Sequence, residues 1–136
     1  MMNRFLLSSC VLLALSATGC FSGSGQSLHA VEGTITKDGV PFVDANLEFE
    51  PQTAGAPSYG KSDENGNFKL YYSTGKPGAA PGMHTVKVLG GRKASDARPN
   101  EPTSKEAPAA QLKEYRGKEI VVTVEPGGEN RVQIEL

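Results

Sequence analysis

Between Asp44 and Glu50 the side chains alternate without a break: Ala45, Leu47 and Phe49 are apolar, while Asp44, Asn46, Glu48 and Glu50 are polar. A repeat of two sorts these sets onto opposite faces of an extended strand, and a helix cannot do so. The same period recurs along the chain. Val31, Gly33 and Ile35 share one face of a first strand, with Glu32, Thr34 and Thr36 on the other. Phe68, Leu70 and Tyr72 follow a weaker run from Tyr59 to Asp63, then come His84, Val86 and Val88 in a run from Met83 to Leu89. Ile120, Val122 and Val124 lead to Val132, Ile134 and Leu136 at the close. Turn residues punctuate the runs. Lys37-Asp38-Gly39-Val40-Pro41 supplies a position with φ > 0, Pro51 stops the second strand, and Asn65-Gly66 is the strongest short hairpin signal present. The expectation is an all-β domain of seven strands, with two antiparallel sheets packed as a sandwich to bury every apolar face.

Gly90 to Ala109 breaks this pattern, holding no apolar residue larger than alanine. Such a segment buries too little surface to hold itself down, and a mobile loop is expected there. After it, Pro108 to Tyr115 reads as a short helical turn that docks Leu112 and Tyr115 on the sheet.

The first 28 residues have a different composition. Arg4 supplies one positive charge, Phe5 to Ala17 form an apolar run, and Ala17-Thr18-Gly19-Cys20 ends in small residues and a thiol. A charged start, a short apolar core and a small-residue cleavage site make a secretory signal, too short to span a bilayer. Residues 1–19 are then removed, and residues 20–28 become a Gly/Ser-rich tether. The seven residues Phe21 to Ser27 span on the order of 15 Å as a random coil. The segment resembles the lipobox of bacterial lipoproteins, which implies a diacylglyceryl group on Cys20 and a membrane as the first partner. Phe21 stands where aspartate is associated with inner-membrane retention, and by resemblance this points to the outer membrane.

Both cysteines, Cys10 and Cys20, fall within the first twenty residues, so residues 29–136 hold no disulfide, thiolate metal site or cysteine nucleophile. Arg4 is the only charge before Cys20. The remaining 117 residues therefore carry 13 basic and 15 acidic side chains, with no basic stripe to meet nucleic-acid phosphates. They suffice for one domain with a core.

Several runs together look like one known family. They are Val31-Glu32-Gly33-Thr34-Ile35-Thr36 with Gly39-Val40-Pro41-Phe42, Ala45 to Phe49, Asp63-Glu64-Asn65-Gly66-Asn67-Phe68, and Pro81-Gly82-Met83-His84-Thr85-Val86-Lys87-Val88. The set resembles the carboxypeptidase-regulatory-like, or transthyretin-like, β-sandwich. The resemblance implies a prealbumin-type Greek key over residues 29–136 and implies little about activity, because one sandwich hosts many functions.

The enzyme among the transthyretin relatives is hydroxyisourate hydrolase, which uses histidines, an arginine and a C-terminal Tyr-Arg-Gly-Ser. Tyr115-Arg116-Gly117 is present here, but Lys118 replaces the serine and about two strands follow it. The enzyme's first histidine falls near Glu32, and His29 is three residues too early. A water-activating site does not survive such a shift. His84 is expected to be half-buried with one hydrogen bond, and His29 solvated. Two histidines without cysteine match no metal spacing, and Asp63-Glu64-Asn65-Gly66-Asn67 lacks the distant bidentate glutamate of a calcium loop. Gly90-Gly91 and Gly127-Gly128 are read as turns. No catalytic set converges, and no cofactor or metal is implied.

The reading that follows is a non-catalytic, membrane-anchored lipoprotein, structural or adhesive, or binding a protein partner at the cell envelope. The alternative is a carbohydrate- or peptide-binding module. That alternative needs clustered exposed aromatics, for which Tyr59, Tyr71 and Tyr115 are the candidates, and it gains if Tyr59 and Tyr71 prove adjacent and exposed.

Overall fold

A computed structural model of the chain describes residues 25–96 and 119–136. Cys20, Leu112, Tyr115 and Arg116 lie outside the described residues, as does most of the 90–109 segment. Eight strands follow in order: β1 (Val31–Lys37), β2 (Val40–Pro51), β3 (Ser58–Lys61), β4 (Asn67–Lys69), β5 (Tyr71–Tyr72), β6 (Gly82–Lys93), β7 (Ile120–Val124) and β8 (Asn130–Glu135). Beyond them the described residues contain a single 3-10 turn at Ala94–Asp96, and no helix there is long and apolar enough to cross a membrane.

The described residues are all-β and almost wholly antiparallel. One ladder runs β5-β3-β2-β6-β7, and a second places β1 between β4 and β8. They meet at the β1–β2 turn, where Lys37 pairs Val40 across Asp38 (φ 52°) and Gly39 (φ 74°). Both central residues are left-handed, as a tight two-residue hairpin demands.

The alternation of the first two strands is realised. Val31, Ile35, Ala45, Leu47 and Phe49 are each at most 2% exposed, and Phe68, Leu70, Val86, Val88, Val124 and Ile134 join them in one core. The Phe49 and Phe68 rings lie 6.0 Å apart and tilted, the arrangement that the ring quadrupole favours. Gly33 has the same inward direction but no room. A Cβ there would stand 2.3 Å from the Val132 carbonyl oxygen and 2.6 Å from Phe68 Cζ.

Four features depart from the sequence reading. Among the described residues the strands number eight rather than seven, because the run from Phe68 to Tyr72 divides at Leu70. Leu70 donates its backbone N–H to Val31, whereas Tyr71 and Tyr72 pair β3. Asn65-Gly66 does form a turn, but its flanking strands do not pair as a hairpin. Ser62 anchors the end of β3 to β2, its backbone N–H reaching the Ala45 carbonyl at 2.9 Å while its hydroxyl accepts the Ala45 N–H at 2.9 Å. On the other side the Gly66 carbonyl accepts the Ile35 N–H at 2.8 Å, so the turn hands the chain from one ladder to the other.

The third departure is the closing strand. β8 runs parallel to β1, from Val31↔Asn130 to Thr36↔Glu135. At the end of this pair Glu135 accepts the Thr36 hydroxyl and the Gly39 N–H, which hold its carboxyl below the usual glutamate range. The fourth is at Gly90, where a loop was expected and β6 instead continues to Lys93. Glycine supplies the reason. Gly90 (φ 67°) and Gly91 (φ 88°) take conformations that side chains resist, and a Cβ on Gly91 would meet the Phe42 ring at 2.3 Å. Gly90-Gly91 is therefore a kink within a strand, not a turn.

Strand directions define two ends. β1 starts beside residues 25–30, with the turns 52–57, 73–81 and 125–129 at that end. The Asp38-Gly39 and Glu64–Gly66 turns and the Ala94–Asp96 turn lie at the opposite end.

Candidate ligand-binding face

Pairing register builds a row of side chains across the outer surface of the larger ladder. Tyr71 on β5 stands opposite Tyr59 on β3, Tyr59 opposite Glu48 on β2, and Glu48 opposite Lys87 on β6. The two tyrosines are the aromatic end of this row and remain 48% and 46% exposed. Lys87 binds Glu50 at 2.7 Å and Glu48 at 3.7 Å, forming the charged end. Register thus sets two exposed aromatic side chains opposite each other at the β3–β5 edge.

Tyr71 also borders a groove of about 830 Å³ over the outer face of β4, β1 and β8. Two transverse rows form its floor. Glu32 is flanked by Lys69 on one neighbour and Arg131 on the other, and Thr34 is flanked by Asn67 and Gln133. Lys69 Nζ lies 2.6 Å from Glu32 Oε1. The hydrogen bond and charge of Lys69 hold the Glu32 carboxyl below its ordinary range and raise the Lys69 ammonium above its own. Lys61 and Asp63 stand on the same groove. The Asp63 carboxylate is committed to its own turn, accepting the backbone N–H of Asn65 at 2.8 Å and of Asn67 at 2.9 Å. Those bonds favour the ionised form and hold Asp63 below the usual aspartate range.

A shallower hollow of about 500 Å³ lies over Asp44, Lys61, Ser62 and the 63–65 turn. Asp44 has φ 56° and lies 3.3 Å from Arg92 and 3.9 Å from Lys61. Among the described residues no group of three or more His, Cys, Asp or Glu side chains is placed to hold a metal ion.

The two histidines part company. His84 is fully buried at 0% exposure, not half-buried, with Nε2 donating to the Ala80 carbonyl at 2.8 Å and its ring 6.2 Å from Phe49. Its Nδ1 and the hydroxyl of Ser58 are buried without a hydrogen-bond partner among the described residues. His29 lies at the end where β1 starts, where its backbone pairs Ala79 and its Nδ1 accepts the Gly127 N–H at 3.1 Å. Ser27 Oγ is 3.3 Å from His29 Nε2, which superficially suggests a nucleophile and its base. The hydrogen bonds run the wrong way for that. With Nδ1 accepting from a backbone N–H, the neutral ring carries its proton on Nε2 and donates to Ser27 rather than taking a proton from it.

Sequence reasoning singled out Tyr59 and Tyr71, and the structure brings them together. The groove floor was missed. Glu32, Thr34 and Lys69 were legible only as outward strand positions, and nothing local to them reveals that β8 lies alongside. No protein-family model, curated protein or solved structure matches the chain.

Proposed function

We propose that this chain is a lipid-anchored, non-catalytic binding domain of a bacterial cell envelope, built as a carboxypeptidase-regulatory-like Greek-key sandwich. The observation that carries the reading is the run from Arg4 through the apolar Phe5–Ala17 segment to Ala17-Thr18-Gly19-Cys20, joined by a few polar residues to a cysteine-free β domain. Cleavage before Cys20 and acylation of its thiol replace the apolar leader with fatty chains, and Phe21 favours the outer membrane. One acyl chain holds a protein only marginally, whereas a diacylglyceryl group supplies two. The tether joins the end of the domain that carries His29 and the 125–129 turn. The Asp38-Gly39 and Glu64–Gly66 turns would then point away from the membrane, towards an envelope partner.

The test is fractionation of cells producing the full chain and its Cys20→Ala variant. The wild type is expected in the membrane fraction and the variant in the soluble fraction. Equal partition of the two overturns the anchor.

A second reading, a carbohydrate-binding module, is favoured by one specific observation: Tyr59 and Tyr71 are cross-strand neighbours with about half of each side chain exposed. It is compatible with the first, since an anchored domain can hold a glycan. Hydroxyisourate-type hydrolysis has no such support. His84, with 0% exposure, cannot touch a substrate arriving from solvent.

A further inference from the structure

We infer that the groove bounded by Tyr71 binds an oligosaccharide carrying carboxylates, with the Tyr71 ring stacking on a sugar face and Arg131 engaging a carboxylate. The inference rests on the binding-domain reading and names the ligand class.

Three observations carry it. The groove, at about 830 Å³, falls within the range of small-ligand sites, which run from about 300 to 1,000 Å³. Its floor is polar in a particular way. The row Asn67–Thr34–Gln133 offers two planar amides and a hydroxyl, donors and acceptors suited to the hydroxyls of a sugar ring. The adjacent row Lys69–Glu32–Arg131 sets two cations around one carboxylate. Glu32 is already matched by Lys69 at 2.6 Å, and the Asp63 carboxylate is spent on its own backbone. Lys61 on the same groove is shared with Asp44 at 3.9 Å, so Arg131 is the groove cation with no carboxylate within ion-pair distance among the described residues, and a guanidinium meets a carboxylate bidentately.

The aromatic residue sits where stacking requires it. Tyr71 follows Lys69 by two positions on the same outward side and lines the groove, with Tyr59 opposite it on β3. A protein partner fits the groove less well, because stable protein interfaces centre on a desolvated apolar cluster and this floor is charged and amide-rich. A nucleic acid would need many cations in line, and the floor has two beside an acid.

The experiment is a calorimetric titration of the full mature protein in detergent with hexameric oligogalacturonate, with maltohexaose, and with hexaglutamate. Oligogalacturonate is expected to bind, more weakly at 500 mM than at 50 mM salt as screened charges require. The other two probes are expected to bind at least tenfold more weakly. Tyr71→Ala and Arg131→Gln should each weaken oligogalacturonate binding about tenfold or more, the scale of losing a principal aromatic or arginine contact. Thr123→Ala, on the outer side of β7, should leave it unchanged. Should either groove variant unfold, amide shift mapping of the wild type decides, with changes expected at Glu32, Thr34, Lys69, Arg131 and Gln133. Shifts confined to other surfaces overturn the inference. So does equal binding of maltohexaose or hexaglutamate, or insensitivity to both groove variants. Absence of binding by protein that still carries its acyl mass overturns the ligand assignment alone, while loss of the acyl mass speaks only to the anchor.

Discussion

Phe68 lies over Gly33 so closely that any β-carbon on that glycine would fall 2.6 Å from the ring's Cζ. The Val132 carbonyl, at 2.3 Å from the same point, belongs to the β1–β8 ladder and cannot swing away. Gly33 is thus the position at which β4, β1 and β8 are drawn together, and the floor of the groove depends on it. Gly33→Ala should destabilise the protein by about 3 kcal/mol, at the upper end of what overpacking costs. Thermal or urea unfolding measures it, and a change below about 0.5 kcal/mol would show that the approach of Phe68 is not as described.

His84 offers a separate test of how the core treats a buried polar ring. Its Nε2 satisfies the Ala80 carbonyl, and its Nδ1 has no partner among the described residues. Replacing it with phenylalanine keeps the volume and removes both the useful bond and the unpartnered nitrogen, so the losses and gains largely offset. His84→Phe should change stability by no more than about 1 kcal/mol, whereas His84→Ala, which leaves a cavity, should cost about 3 kcal/mol. Equal losses for the two would mean that the imidazole is held for its hydrogen bonding rather than its shape.

Asp63 links the turn to pH. Its carboxylate is held below its ordinary value of 3.8 by the N–H groups of Asn67 and Asn65. The folded state therefore binds fewer protons than the unfolded chain as pH falls. The stability this group contributes is complete above the ordinary aspartate value and is lost as pH drops through the lower folded value. Asp63→Ala should cost about 1 kcal/mol at pH 7, discounted for the exposure of the turn. The gap between wild type and variant should narrow as pH falls below the ordinary aspartate range. A gap that stays constant from pH 7 to pH 2 contradicts the turn geometry.

Gly91 tests the extension of β6. With φ 88° and the Phe42 ring 2.3 Å from where a β-carbon would be, Gly91→Ala meets both backbone strain and a clash. The expected loss is about 2–3 kcal/mol, read by chemical denaturation. A neutral effect would return Gly90–Lys93 to the loop first expected there.

What could be read from the chain was whatever depended on near neighbours. Ala45, Leu47 and Phe49 declare their buried face by alternation, and Asp38-Gly39 declares its turn by its need for positive φ. The partners of a strand are set by contacts far away in sequence. Nothing near Arg131 indicates that it comes to rest beside Glu32, since that follows from a parallel pairing nearly one hundred residues apart. Leu70 looked like one more inward residue of a single strand, and only its bond to Val31 shows that the chain changes ladders there. Gly90-Gly91 misled for a physical reason: the backbone freedom that suits glycine to a turn equally suits it to a kink inside a strand. Of the candidate site, the exposure of Tyr71 was legible from its phase against Phe68 and Leu70. Its position opposite Tyr59 and above the groove was not.

The claim that organises all of this is that the domain hangs from a membrane by an acylated Cys20. Intact-mass spectrometry of the full protein, extracted from membranes, tests it most directly. The account predicts a chain beginning at Cys20 and carrying the added mass of a thioether-linked diacylglyceryl group. A mature chain of unmodified mass, or one that still retains residues 1–19, contradicts it.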